Sequence, residues 1–459
     1  MDPVSLCVNT QTPLVQFKRT ESATKKKAAP LKVPNLSEFE DGVDYDFSPG
    51  GVTRMVFPLV RRMIQEGTLS DAHWVSLDPE GPASLLAGGI TLHSVHLTAD
   101  RLKGYGVVKE TLWGAAHRTV RDTPASQDVF WTDDFSEYAY YNRLTAETIG
   151  ALDRKEDFDL FYIHDFQQLP IGHMLGTLKP KIYRWHIPFE ASAIPDQWRE
   201  LLTTYFDSYN VIIASARRYV EALKSFGYSG KVRKIYPYVD PREYSRPPKS
   251  ERTAVRRKLA LRDRDDVVLV VARMDPMKGQ DRAIRALAGL APRYPNLKLV
   301  LVGNGSFSSS RQGLGLSKGS RWQAELEGLA RHLSVEDRVV FAGHVTQREL
   351  DALYETCKFT VLPSVEEGFG LVVVEGWLHS KAAVVSGKAG IAELIEAGRN
   401  GLLSDPDDPV RLGEAMRLLL DDGDLTHRLG REGYRTSKLC SLDAGVRAET
   451  EVITQLIDR

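Results

Sequence analysis

Arg273 and Lys278 follow the apolar run Val267–Ala272 in the segment Arg273-Met274-Asp275-Pro276-Met277-Lys278-Gly279. Two fixed cations just past a strand lie at the carboxyl edge where open α/β sheets bind ligands, and they suit a diphosphate that gains negative charge as it leaves. Either residue alone reads as a surface cation in a turn. A second segment, Pro363-Ser364-Val365-Glu366-Glu367-Gly368-Phe369-Gly370-Leu371, follows the apolar run Phe359–Leu362 and leads on to Glu375. A helix starting near Gly370 would turn free backbone N–H groups toward an anion, and the glycines would let a ligand approach the backbone. With Glu367 at the start of that helix and Glu375 two turns into it, the spacing puts both carboxylates on one side, able to hold two hydroxyl-rich parts of one ligand. Taken alone, the pair reads equally as a capping acid and an exposed helix glutamate. Beside Arg273 and Lys278 that bland reading loses ground.

The first half of the chain offers weaker signals. Phe47-Ser48-Pro49-Gly50-Gly51-Val52 precedes a long helical pattern, so Gly50 and Gly51 could face a phosphate, although a lone Gly-Gly reads first as a turn. His164-Asp165 ends one strand pattern and Trp185-His186-Ile187-Pro188 ends the next, which converges polar residues on one crevice. Asp165 could accept hydrogen bonds from sugar hydroxyls and His186 could orient another, whereas an isolated histidine is more often a satisfied buried side chain.

The elements that must position these residues are short apolar runs alternating with helical patterns, the signature of parallel sheets with crossover helices. Strands are expected at Val4–Val8, His73–Leu77, Leu160–His164, Lys181–His186 and Val211–Ala214, then at Val267–Ala272, Lys298–Val302, Val339–Ala342, Phe359–Leu362 and Ala383–Ser386. Helices are expected at Val52–Gln65, Phe135–Leu152, Asp196–Phe206, Arg217–Phe226, Asp281–Leu290, Trp322–Leu333, Gln347–Cys357 and Leu371–His379. The proline- and charge-rich stretch 237–252 reads as a seam between two α/β units. Lys18–Leu36, with Arg19, Lys25, Lys26, Lys27 and Lys32, reads as a solvated loop before it reads as a basic arm, and Ser306–Ser320 reads as a flexible insertion.

Bulk properties exclude several classes. A chain of 459 residues exceeds what one core usually serves, so two domains are expected. The net charge of -1 gives no global field for nucleic acid or an anionic membrane, so any anion site must be local. Cys7, Cys357 and Cys440 are far apart and in no C-x-x-C pattern, which argues against a disulfide framework or a zinc site. No run reaches the length of a membrane span and no secretory pattern opens the chain, so the expectation is a cytoplasmic protein.

Together these residues resemble the two-domain glycosyltransferases called GT-B. The second half resembles retaining glycosyltransferase family 4 through Arg273–Lys278, Val302-Gly303-Asn304-Gly305, Phe341-Ala342-Gly343-His344-Val345, Glu367–Glu375, Asn400-Gly401-Leu402-Leu403 and Asp405-Pro406-Asp407-Asp408-Pro409. The first half is similar to trehalose-6-phosphate synthases and trehalose glycosyltransferring synthases at Tyr105-Gly106, Glu110-Thr111-Leu112-Trp113-Gly114, His117, His164-Asp165-Phe166-Gln167 and His186-Ile187-Pro188-Phe189. The resemblance implies two Rossmann-like domains, 1–236 and 253–435, with parallel sheets facing a central cleft, a linker at 237–252, and a helix in 436–459 returning to the first domain. It implies Arg273 and Lys278 on the donor diphosphate, Glu375 on the ribose, Glu367 on donor sugar hydroxyls, and Phe369, Gly370 and Leu371 amides near sugar and phosphate. His186 would meet the sugar C6 hydroxyl, Asp165 hydroxyls near the reacting carbon, Gly50 and Gly51 the phosphates, while Tyr105 and Trp113 would line the acceptor pocket.

The implied reaction is retaining transfer of a hexosyl group, with glucose favoured, from a UDP-, GDP- or ADP-sugar to a small sugar or sugar phosphate. No cofactor and no metal are expected, and a second copy of the chain is a further candidate partner. Two departures stand out. Trehalose-6-phosphate synthases carry an arginine after the first strand, whereas this chain reads Cys7-Val8-Asn9-Thr10-Gln11-Thr12-Pro13, leaving Arg54 and Lys109 as candidate substitutes and an unphosphorylated acceptor open. The family 4 Gly-Gly before a glutamate is replaced in Ala389-Gly390-Ile391-Ala392-Glu393. Competing readings are a nucleotide-sugar epimerase, a lipid-acceptor transferase and a non-catalytic sugar-nucleotide binder.

Overall fold

A computed structural model describes residues 2–18, 33–48, 50–117, 129–303 and 314–458, excepting the side chains of 314–317. Pro49, the basic run from Arg19 to Lys32, Asn304-Gly305 and the first part of the expected insertion therefore lie outside the described residues. The chain divides into two units, one formed by Met1–Tyr236 with Gly445–Arg459, the other by Pro237–Ala444.

Unit one contains β1 (Val4–Thr10), β2 (Val15–Phe17), β3 (Tyr45–Phe47), α1 (Gly51–Gln65), β4 (Leu69–Leu77), β5 (Ser84–Ala87), β6 (Ile90–Val95), α2 (Ala99–Ala116) and α3 (Asp133–Glu156). It continues with β7 (Leu160–His164), α4 (Ile171–Met174), β8 (Lys181–Trp185), α5 (Arg199–Phe206), β9 (Val211–Ala214), α6 (Arg217–Phe226) and β10 (Lys231–Lys234). The main sheet has the order β10-β9-β8-β7-β1-β4-β6-β5. Every pairing is parallel except β5 with β6. That edge is a hairpin closed by Gly88 and Gly89, both at positive φ as a two-residue turn requires.

Unit two contains α7 (Lys249–Lys258), β11 (Asp266–Val271), α8 (Gln280–Leu290), β12 (Leu297–Val302), α9 (Leu314–His332), β13 (Val339–Gly343), α10 (Gln347–Thr356), β14 (Phe359–Leu362) and α11 (Leu371–Leu378). Then come β15 (Ala382–Ser386), β16 (Leu402–Ser404), α12 (Pro409–Asp421) and α13 (Gly423–Ser437); the last helix, α14 (Leu442–Ile457), belongs from Gly445 onward to unit one. The six strands run β13-β12-β11-β14-β15-β16, all parallel. Successive residues of β11 alternate between two cores: Val268 and Val270 pack with α8 and α12, Val267 and Leu269 with α10. Burial on both faces is why these parallel strands read as unbroken apolar runs.

Each sheet reverses direction once. In unit one the chain moves outward from β1 to β4 and β6, then returns to the other side of β1 as β7. In unit two it moves from β11 to β12 and β13, then returns beside β11 as β14. The crevice outside the carboxyl ends of the strands at such a reversal is where open α/β sheets take ligands.

Leu160–His164, Val211–Ala214, Phe359–Leu362 and Arg217–Phe226 have the expected bounds. Two stretches carry elements that were not among those expected. Leu314–Ser320, expected within a flexible insertion, begins α9. The stretch 237–252 carries a short turn of 3-10 helix at Pro241–Glu243 and the start of α7. The three cysteines are buried and free.

Candidate active-site clusters at the two sheet reversals

In unit two, β11 ends at Val271 and the chain turns through Arg273 into a 3-10 turn, Pro276–Lys278. Asp275 caps that turn by accepting from the Met277 amide at 2.9 Å, and Gln280 holds the preceding loop by donating to the Arg273 carbonyl at 2.6 Å. Gly279 follows at φ +68°, where a Cβ would come within 2.0 Å of the Pro363 carbonyl oxygen. Only glycine lets this turn lie against the loop that follows β14. The result is an ion pair, Lys278 Nζ to Glu367 Oε2 at 2.7 Å, with side chains 14% and 18% exposed.

The expected placement of Glu367 is corrected. α11 begins at Leu371, capped by Gly370 at φ +106°, so Glu367 lies in the preceding loop and not on the helix. Glu375 alone is helical, one turn in, and the two carboxylates do not share a helix face. The loop is strapped in place by amides of Gly390 and Ile391, which donate to the Glu367 and Phe369 carbonyls at 3.1 and 2.9 Å. Ala389, where family 4 carries glycine, has φ −82°, a conformation open to any residue.

Glu375 is 6% exposed, and both of its oxygens are engaged. Tyr354 on α10 donates to Oε2 at 2.9 Å, and Tyr244, from the stretch before α7, donates to Oε1 at 3.1 Å. Ser245 fixes that stretch by donating its amide and hydroxyl to Asp351 at 2.8 and 2.7 Å. The ring of Tyr354 stacks on His379 at 5.2 Å. Burial and then the Glu375 charge push the Tyr354 hydroxyl well above the ordinary phenol range, so it stays a donor. Sequence reasoning missed both tyrosines: neither Tyr354 on a buried helix face nor Tyr244 in the stretch before α7 gives a sign of where its hydroxyl goes.

In unit one, Asp165 directly follows β7 at φ +71° and ψ 148°, a region that residues other than glycine rarely occupy. Its amide donates to the Arg184 carbonyl at 3.2 Å, and its carbonyl accepts from the Tyr183 hydroxyl at 2.9 Å and the Gln168 amide at 3.0 Å. Burial pushes its carboxyl up to about 7. His186, half-buried past the end of β8, is not isolated: its Nε2 lies 3.0 Å from Nδ1 of His164, which is fully enclosed. Burial and the neighbouring Arg184 charge hold both rings well below the ordinary imidazole range. Arg184 itself forms a buried ion pair with Glu449, whose other oxygen accepts from the Tyr162 hydroxyl at 2.8 Å.

Tyr105 lies on α2, buried among Tyr138 and Tyr141, within reach of the Asp165 charge. Its hydroxyl has no hydrogen-bond partner among the described residues, and neither has Oε1 of Gln167. Trp113, two turns further on α2, stacks instead on His117 at 4.0 Å. Gly50 caps α1 and Gly51 is its first residue, with nothing within 4 Å of where a Cβ would stand. Lys109 is buried, its ammonium 4.0 Å from Glu110. The structure thus gathers Lys278 with Glu367, and Asp165 with Tyr105, each within its own unit.

Residues 251–436 match the family Glycosyl transferases group 1. A D-inositol 3-phosphate glycosyltransferase from Acidothermus cellulolyticus is 34% identical over 197 residues, which are 42% of this chain and 41% of the relative, so the chain spans about two fifths of that protein's length. Among solved structures, α,α-trehalose 6-phosphate synthase from Burkholderia multivorans superposes with a TM-score of 0.74 at 18% identity, covering 99% of this chain and 98% of the other. HepE from Anabaena, solved with UDP and glucose, gives 0.66 at 16% identity over 98% of this chain and 99% of its own. At such identities the likeness is one of fold, and that fold is GT-B.

Proposed function

We propose, from the match of residues 251–436 to the family Glycosyl transferases group 1, that the chain is a retaining glycosyltransferase. It moves a hexosyl group, by preference glucose, from a nucleotide-sugar to a small hydroxylated acceptor. The observation that carries this reading is the Lys278–Glu367 pair at the sheet reversal of unit two, beside Arg273 and the start of α11. A cation held by a carboxylate keeps its charge and position in a partly dry crevice, where it is worth more to a developing diphosphate than in water.

In the proposed reaction the bond between the sugar C1 and the diphosphate oxygen breaks, and the acceptor oxygen bonds to C1 on the same face. The leaving phosphate oxygen takes the acceptor's proton, so no protein nucleophile is required. Arg273 and Lys278 stabilise the departing charge. Glu367 accepts from donor sugar hydroxyls, Glu375 from the ribose, and the Phe369, Gly370 and Leu371 amides lie near sugar and phosphate, as Gly50 and Gly51 do on α1. Asp165 and His186 meet sugar hydroxyls, and Tyr105 and Trp113 line the acceptor side. The unpartnered hydroxyl of Tyr105 supports a hydroxylated acceptor, since a buried donor left unpaired costs stability unless a ligand satisfies it.

The likeness to trehalose 6-phosphate synthase supports a sugar or sugar-phosphate acceptor. A second reading, favoured by identity to a D-inositol 3-phosphate glycosyltransferase, keeps the donor chemistry and takes a phosphorylated cyclitol. The test crosses five nucleotide-sugars with glucose, glucose 6-phosphate, fructose 6-phosphate, glycerol phosphate and inositol 3-phosphate in a chelating buffer. Release of nucleoside diphosphate that depends on one acceptor names the reaction and its metal independence. Turnover of donor without any acceptor overturns the transferase reading in favour of an epimerase.

A further inference from the structure

The pair formed by His164 and His186 carries information that neither ring gives alone. A neutral imidazole has one N–H, so across the 3.0 Å contact between His164 Nδ1 and His186 Nε2 one ring donates and the other accepts. Three arrangements are conceivable. If His186 donates from Nε2, the proton of His164 must sit on its own Nε2, which is buried and has no hydrogen-bond partner among the described residues. That leaves an orphaned N–H, the rarer and costlier defect in folded proteins. If His164 were an imidazolium it would donate at both nitrogens, again orphaning Nε2–H, and it would do so fully enclosed beside the Arg184 guanidinium, which opposes a second positive charge. If His164 donates from Nδ1, its Nε2 keeps only an unfilled lone pair, the milder defect.

We infer that His164 is a positioning residue that fixes the tautomer of His186, so that His186 carries its proton on Nδ1 and presents a hydrogen-bond donor to an oxygen of a hydroxylated ligand. The ring of Tyr162 lies against His164, with centroids 4.1 Å apart, and holds it in register along the strand face. Arg184 on the adjacent strand is held in place by its ion pair with Glu449, which keeps the surroundings of the pair fixed. The ligand class rests on the glycosyltransferase reading above; the tautomer does not.

The test uses the full chain labelled with 15N at histidine, in which long-range proton–nitrogen correlations distinguish the two neutral tautomers. The expected spectrum shows Nδ1–H at both His164 and His186. In His164→Phe, which keeps the ring but removes both nitrogens, His186 is expected to shift toward Nε2–H. In His164→Asn, whose amide nitrogen falls near the position of Nδ1, the wild-type pattern of His186 is expected to return. The matching kinetics are a kcat at least tenfold lower in His164→Phe with donor KM within twofold, recovered to within threefold in His164→Asn. An Nε2–H tautomer at His186 in the unaltered chain overturns the inference even if the variants do not fold. The inference falls equally if His186 keeps Nδ1–H in His164→Phe. A chain with Nδ1–H at His186 but no transfer to any acceptor upholds the tautomer and sinks the glycosyltransferase reading instead.

Discussion

The two sheet reversals are built alike and furnished oppositely. In unit two the crevice holds charged groups that are already engaged: Lys278 in an ion pair with Glu367, and Glu375 hydrogen-bonded by two tyrosine hydroxyls. In unit one the corresponding place holds polar groups driven toward neutrality, with Asp165 raised by burial, two imidazoles kept uncharged, and a tyrosine hydroxyl without a partner among the described residues. The first arrangement suits a ligand that brings charge; the second suits one that brings hydroxyls. The same topology serves both because strand order sets where a ligand binds, while the residues just beyond the strands set which ligand it is.

The contrast can be broken at several points. Lys278→Ala removes the compensated cation and is expected to lower kcat/KM by roughly 10²- to 10³-fold, with an unchanged far-ultraviolet circular dichroism spectrum; a fully active variant removes the diphosphate assignment.

Asp165→Asn tests the neutral side. Its folded-state carboxyl, near 7 against an ordinary 3.8, binds a proton more tightly than in the unfolded chain. The stability it contributes is therefore intact below about pH 4 and is lost as pH rises through about 7. The asparagine variant is expected to be more stable than the parent at pH 8.5, by on the order of 2–4 kcal/mol in unfolding free energy, and to match it near pH 4. Transfer should fall at the same time. Melting curves that track each other at both pH values would show that Asp165 is not held near neutrality.

Tyr244→Phe is the mildest change, because Tyr354 still holds one oxygen of Glu375. Its expected signature is a donor KM raised about three- to tenfold with kcat nearly unchanged, measured against the same variant's response to a 2′-deoxyribonucleotide donor. Equal loss with ribo- and deoxyribo-donors would detach Glu375 from the ribose.

Much of unit two is legible in its sequence because parallel strands buried on both faces write contiguous apolar runs, and because Arg273, Lys278 and the Pro363–Glu375 segment are close in the chain. The helix starts where expected, at Leu371 after the left-handed Gly370, but Glu367 stands three residues before that cap and so lies in the loop and not on the helix. α2, which carries Tyr105 and Trp113, has no counterpart among the expected helices: Gly104, Gly106 and Gly114 mask its helical character. The β5–β6 hairpin is written in Gly88-Gly89, but its strands are short. Tyr244 and Tyr354 could not be found by local patterns, because the Tyr244–Glu375 contact spans 131 positions. The family of the second half is therefore easier to read than the chemistry of the first.

The buried pair of Arg184 and Glu449 bears on how the molecule comes into being. These residues are 265 positions apart, and the whole of unit two lies between them in the chain. A ribosome delivers Arg184 long before the carboxylate that neutralises it, while unit two emerges as one contiguous segment. During synthesis the sheet of unit one must therefore wait with an uncompensated cation at its heart. Unit two is expected to acquire protease resistance on the ribosome first, and unit one only after α14 has been made, so the order of maturation inverts the order of translation.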